Sequence, residues 1–154
     1  DGPMRAQLEK DNPDFVFCGI QRGEALARHF ASSDLFLFPS RSETYGNVTL
    51  EAMASGVPTV AFDYGAAHEF LRDGEHGAAV ENNTSNSDDA FVRASVHIAT
   101  DADLRAQMRL AARDAVSVLR PEQVAADFDA ILQRLARART SNERHIPASP
   151  VARE

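Results

Sequence analysis

Four short apolar runs punctuate the first eighty residues, at 15–19 (FVFCG), 35–38 (LFLF), 58–62 (PTVAF) and 78–80 (AAV), each bounded by Gly, Pro, Asp or Ser. Runs of this length without alternation predict strands buried on both faces. Residues 23–33, 47–55 and 66–72 between them carry helical patterning, and strands alternating with helices predict a parallel sheet in an α/β domain. After Asn82 the pattern turns wholly helical. A polar loop at 82–87 precedes a helical stretch at 88–99. A second helix follows at once, with Thr100 as its expected cap, Asp103 three residues on, and Leu104, Met108, Ala111, Ala115 and Val118 at helical spacing. Pro121 suits the first position of a third helix, whose Val124, Phe128, Ile131, Leu132 and Leu135 form an apolar stripe expected in the core. From Thr140 the periodicity ends, so the chain divides into one α/β domain with terminal helices over 1–139 and a disordered tail over 140–154.

Composition changes this picture little. A chain of 154 residues with 44% hydrophobic and 25% charged residues has the size and make-up of one globular domain. No apolar run approaches the roughly 18 residues needed to span a membrane, and Asp1-Gly2-Pro3 opens the chain without the basic and apolar regions of a secretory signal. A cytoplasmic location is expected. Cys18 is the sole cysteine, which excludes an internal disulfide; in a buried strand it behaves as a small hydrophobe. The net charge of -7 argues against nucleic acid as a partner, and the arginines at 134, 137, 139 and 144 read as a solvated helix face. His29, His68, His76 and His97 have no spacing that compels a metal site, so no metal is expected.

The informative segment is PSRSETYGNVTLEAMASG, residues 39–56, which joins an apolar run to a helix at the carboxyl end of a parallel strand. Ligands of open α/β sheets bind at that edge. Gly46 removes a side chain where a ligand would approach the backbone, and the first amides of the helix, at Asn47 and Val48, lack intrahelical partners. Amides and helix dipole together suit a diphosphate. Glu51 lies one turn beyond Asn47, with its carboxylate roughly 6 Å from the helix start, about the step from a phosphate to a ribose. Its two oxygens can accept both hydroxyls of a vicinal diol. Glu43 lies in the loop before the helix, where it could accept hydroxyls of a sugar. Both carboxylates read equally as solvated groups flanking a helix start, and spacing alone leaves that choice open. Arg22 and Arg41 are loop cations within reach of such a nucleotide, with solvation as their ordinary state.

The run DLFLFPSRSETYGNVTLEAMASGVPTVAFDYGAAHEFLRDGEHG resembles the donor-site region of glycosyltransferase family 4, whose hallmark is two glutamates separated by seven residues. Glu43 and Glu51 have that spacing. Asp1-Gly2-Pro3 resembles the family's Gly-Asp-Gly-Pro turn, and Phe17-Cys18-Gly19 its strand and glycine near the base; the match covers about residues 1–81. The resemblance implies the Rossmann-like carboxy-terminal domain of a retaining GT-B enzyme that moves a sugar from a nucleotide diphosphate to an acceptor hydroxyl. It implies Glu43 at the donor sugar as the catalytic-site carboxylate, Glu51 at the ribose, and amides of Tyr45, Gly46, Asn47 and Val48 around the diphosphate. Gly19 would lie near the base and Gly65 near the sugar, although Gly65-Ala66-Ala67 stands where many relatives have Gly-Gly. It implies no cofactor and no metal.

Relatives also carry two earlier strands, a diphosphate-clamping arginine and lysine, and an amino-terminal domain that binds the acceptor and can touch the inner face of a membrane. None of these is legible in the chain, which is therefore expected to be the donor half of a longer enzyme, with exposed sheet edges that favour self-association. Two other readings stay open: a non-catalytic nucleotide-binding or assembly module, and a GT-B relative such as an epimerase or phosphorylase. The base, the sugar and the acceptor are not legible.

Overall fold

The computed structural model describes residues 2–143, in two units, one ending at Val116 and the other beginning at Ser117. The first unit runs α1 (Arg5–Asp11), α2 (Gly23–Ala31), β1 (Phe36–Phe38), α3 (Asn47–Ala54), β2 (Thr59–Phe62), α4 (Ala66–Phe70), β3 (Gly77–Val80), α5 (Ser87–Thr100) and α6 (Ala102–Val116). Its sheet has the order β1-β2-β3, parallel throughout, with Phe36 opposite Thr59 and Thr59 opposite Gly77. This is the expected α/β class, a parallel sheet followed by carboxy-terminal helices.

The core follows from the pleat, because successive residues of a strand point to opposite faces. β2 is buried along its whole length. Its Ala61 packs with Met53 of α3, Ala67 of α4 and Ala112 of α6 on one face, while Val60 and Phe62 pack with Val80 of β3 and Phe91 and Ile98 of α5 on the other. Phe36 of β1 joins Phe30 of α2 and Ala52 of α3, the two rings meeting edge to face at 5.3 Å. Met53 is wholly buried, a burial that contributes about 1.5–3 kcal/mol. Leu37 shares its face with Val60 across the ladder, yet Leu37 is 47% exposed where Val60 is wholly buried.

Three expectations are corrected. Residues 15–19 form no strand: Phe15 is 68% and Val16 87% exposed, and Cys18 is exposed rather than buried. A strand needs a ladder for its amides and carbonyls, and among the described residues only β1, β2 and β3 pair. The segment is held instead by side chains, with Arg5 donating to the Phe17 carbonyl at 3.0 Å and Gln21 to the Cys18 carbonyl at 2.6 Å. The cap of α6 is Asp101, whose carboxylate accepts the Leu104 amide at 2.9 Å. Thr100 ends α5, its hydroxyl donating to the Val96 carbonyl.

The second unit is α7 (Pro121–Glu143), opened by proline as expected. Its stripe is the third correction, since Val124, Phe128, Ile131, Leu132 and Leu135 are each at least 43% exposed. Amphipathic spacing identifies a face able to pack but supplies no surface against it. The helix runs on to Glu143, and the remainder of the expected tail lies outside the described residues.

Candidate functional site

The loop of residues 39–46 leaves the carboxyl end of β1 and enters α3. Gly46 caps the helix in the left-handed conformation (φ 85°, ψ 45°), and no side chain caps the first turn. A Cβ there would meet only ordinary contacts, Phe38 Cε1 at 3.7 Å and Glu43 Cβ at 3.9 Å, so the backbone angles rather than space call for glycine. The first turn also holds no acidic residue, which keeps the positive end of the helix dipole unopposed by the helix's own side chains.

Glu43 is half-buried beside Gly46, and its Oε1 accepts the Ser40 hydroxyl at 2.7 Å. That bond turns one carboxylate oxygen back toward the loop and leaves the other lone pairs for a ligand. Glu51 is exposed on α3 and borders a cleft of about 330 Å3 together with Gly23, Leu26, Ala27 and Phe30 of α2. Val48 points inward against the α2 cluster, whereas Asn47 is exposed.

Tyr45 is tied to α4 at both ends. Its carbonyl accepts the Ala66 amide at 2.7 Å and its hydroxyl donates to Glu69 Oε2 at 2.8 Å. The bond to the Glu69 carboxylate, helped by burial and by that group's negative charge, raises the Tyr45 phenol above its ordinary 10.0. In a Tyr64→Phe background Tyr45 is the only tyrosine, and absorbance at 295 nm is expected to show a midpoint above 10 that falls on Glu69→Gln. Because the folded pKa is raised, the stability this group contributes is present below pH 10 and lost as pH rises through the folded value; an unmoved midpoint in Glu69→Gln would refute the pairing.

Gly65, at φ 54° and ψ -126°, lies against the same loop: a Cβ there would stand 2.3 Å from the Tyr45 carbonyl oxygen. Glu43, Tyr45, Gly46 and Gly65 are thus brought together, with Asn47, Val48 and Glu51 along the first turns of α3. Gly19 stands apart from this group, lining a cavity of about 400 Å3 with Met4, Arg5 and Leu8 of the α1 region. Arg41 is not a free loop cation. It donates to Asn82 Oδ1 at 2.9 Å, pairs with Asp88 and lies over the Phe62 ring at 4.5 Å. Sequence reading missed the roles of Arg41, Glu69 and Asn82, because partners 24 and 41 positions apart leave no local signal.

Three histidines have local partners: His29 Nδ1 bonds the Ala25 carbonyl, His68 Nδ1 bonds Asp63 at 2.9 Å, and buried His76 bonds the Phe70 carbonyl. Among the described residues no three His, Cys, Asp or Glu side chains converge as metal ligands, and no helix is long and apolar enough to cross a membrane.

A family model for glycosyl transferases group 1 matches residues 1–101, about two thirds of the chain. The chain belongs to the group 1 glycosyl transferases. Similar curated proteins include a sulfoquinovosyl transferase of Arabidopsis thaliana, 42% identical over 79 residues, half of this chain and 16% of that protein. A GDP-mannose-dependent alpha-mannosyltransferase of Corynebacterium glutamicum is 38% identical over 81 residues, 53% of this chain and 20% of that protein. A lipopolysaccharide core biosynthesis glycosyltransferase of Rhizobium meliloti is 37% identical over 140 residues, 88% of this chain and 40% of that protein. The chain therefore spans between a sixth and two fifths of the length of these relatives. Among solved structures, a sucrose-phosphate synthase from Thermosynechococcus elongatus superposes with a TM-score of 0.73 at 24% identity, over 88% of this glycosyl transferase chain and 34% of that one. A pneumococcal O-GlcNAc transferase bound to UDP gives 0.66 at 18% identity, over 86% and 27%. Its fold is accordingly that of GT-B glycosyltransferases.

Proposed function

We propose that this segment is the donor-binding half of a retaining, family 4 glycosyltransferase that takes its sugar from a nucleotide diphosphate. The observation that carries the reading is the entry to α3, where a left-handed Gly46 opens an uncapped helix turn between two carboxylates, Glu43 and Glu51. In this reading the amides of residues 46–48 face the diphosphate, Glu51 holds the ribose diol and Glu43 the hydroxyls of the sugar. Gly65 shapes the sugar side by letting α4 approach the Tyr45 peptide, and Gly19 lies toward the base. The Corynebacterium relative, a GDP-mannose-dependent alpha-mannosyltransferase, supports a nucleotide-sugar donor.

The chemistry asked of these residues is electrostatic. As the glycosidic bond breaks, negative charge collects on the departing diphosphate, and preorganised amides at a helix start stabilise it without reorganisation. No protein nucleophile, cofactor or metal is required of this half. In this reading the acceptor is held by another part of the whole protein; the short share of each relative that the chain spans supports that division.

Two measurements test the proposal. The whole protein, offered nucleotide sugars, is expected to release nucleoside diphosphate in step with sugar transfer. The 154-residue chain is expected to bind nucleoside diphosphate weakly, with no change on adding a chelator, and to transfer no sugar. Turnover by the chain alone, or binding that depends on added magnesium, would overturn the reading.

A further inference from the structure

Arg41 joins three elements at the carboxyl edge of the sheet. Its Nη1 donates to the Asn82 side-chain oxygen at 2.9 Å and to the Asn82 carbonyl at 3.3 Å, while Asn82 Nδ2 returns a bond to the Arg41 carbonyl at 3.2 Å. Its Nη2 pairs with Asp88 in the first turn of α5, and its guanidinium lies over the ring of Phe62, the last residue of β2. The cation is thereby occupied on its edge, its far corner and its face. Four residues on, Tyr45 ties the same loop to α4 through its carbonyl and its hydroxyl. Glu43 sits midway between these two tethers.

We infer that Arg41 is a positioning residue that sets the loop carrying Glu43 by clamping it to the β3–α5 connection through Asn82, and that it does not itself bind the diphosphate. This rests on the donor-site reading above. The planar fork matters more than the charge: Arg41 meets Asn82 and Asp88 through separate nitrogens while its flat face covers Phe62, and an ammonium can reproduce the charge but not that set of contacts. The clamp also gives the acidic start of α5 a second use, since Asp88 is favoured there by the helix dipole and at the same time fixes the guanidinium. Misplacing a reacting contact by about 1 Å can cost on the order of a hundredfold in rate, so a loop released at Arg41 loses turnover without losing the diphosphate seat on α3.

The test uses Arg41→Ala, Arg41→Lys and Asn82→Ala. In the whole protein each is expected to lower kcat by about tenfold or more, with the Kd for nucleoside diphosphate kept within about threefold. The double Arg41→Ala/Asn82→Ala variant should be no worse than the poorer single variant by more than about threefold, because both remove one clamp. Recovery of turnover by lysine, or a tenfold weaker diphosphate in Arg41→Ala with Asn82→Ala unaffected, would make Arg41 a ligand-facing cation and overturn the inference. A second readout needs no activity: in the 154-residue chain, exchange of the Ala66 amide, which donates to the Tyr45 carbonyl of this loop, should speed up in Arg41→Ala and in Asn82→Ala. Unchanged exchange there overturns the clamp whatever the whole protein does. Failure of the wild-type whole protein to release nucleoside diphosphate would instead overturn the transferase reading.

Discussion

Glu43→Ala in the whole protein is expected to cut sugar transfer by about a hundredfold while leaving affinity for the bare nucleoside diphosphate within about threefold. The expectation follows from where the two carboxylates stand. Glu43 is held by Ser40 in the loop ahead of the helix and does not line the α2 cleft, and in the proposed reading a ligand contact made there falls on the transferred sugar. Glu51 borders that cleft one turn along α3, and a ribose held there belongs to nucleotide and nucleotide sugar alike. Removing a charged acceptor of two hydrogen bonds costs about 1.5–3 kcal/mol per bond, so Glu51→Ala should weaken both ligands by on the order of a hundredfold or more. Calorimetry with the diphosphate, paired with steady-state rates, gives the comparison. Equal loss of diphosphate binding in both variants would end the division of labour, and no loss in either would return both side chains to the role of solvated carboxylates at a helix start.

The second large effect is on stability. Gly65→Ala should destabilise the chain by about 3 kcal/mol or more, because the added Cβ collides with a backbone oxygen that cannot rotate away and the φ of 54° already disfavours an L side chain. Gly46→Ala provides the control. It has the same sign of φ but no contact closer than 3.7 Å, so its cost should stay near the roughly 1–2 kcal/mol of a left-handed alanine. Urea denaturation of both variants tests the ranking. If Gly46→Ala proves the more damaging, the close approach of α4 to the Tyr45 peptide is not what the glycine serves.

Much of the segment from Leu35 to Val80 was legible because it is governed by local rules: apolar runs between breakers made strands, and a glycine before a helical run made its start. The same rules misread residues 15–19. Phe15-Val16-Phe17 has the composition of a strand, but strand formation is a property of a pair, and no neighbour lies beside it among the described residues. The stripe of α7 failed for a related reason, since periodicity describes one face of an interface. The cap of α6 slipped by one residue because Thr100 and Asp101 are both good caps, and the threonine hydroxyl was taken up by its own helix. In the candidate site, Glu43, Tyr45, Gly46 and Glu51 lie within nine residues and could be read together. The contacts that fix their loop reach Ala66, Glu69, Asn82 and Asp88, and such partners become visible only when the sheet brings its three carboxyl ends side by side.

The sheet's spatial order repeats its order along the chain, and this bears on how the molecule is made. β2 closes on β1 across residues 39–58, and β3 on β2 across the shorter connection 63–76. No strand of the three waits for a later one to be inserted between it and its neighbour. The hairpin-free βαβαβ stretch can therefore be laid down vectorially as it leaves the ribosome, each parallel ladder forming on the one just completed.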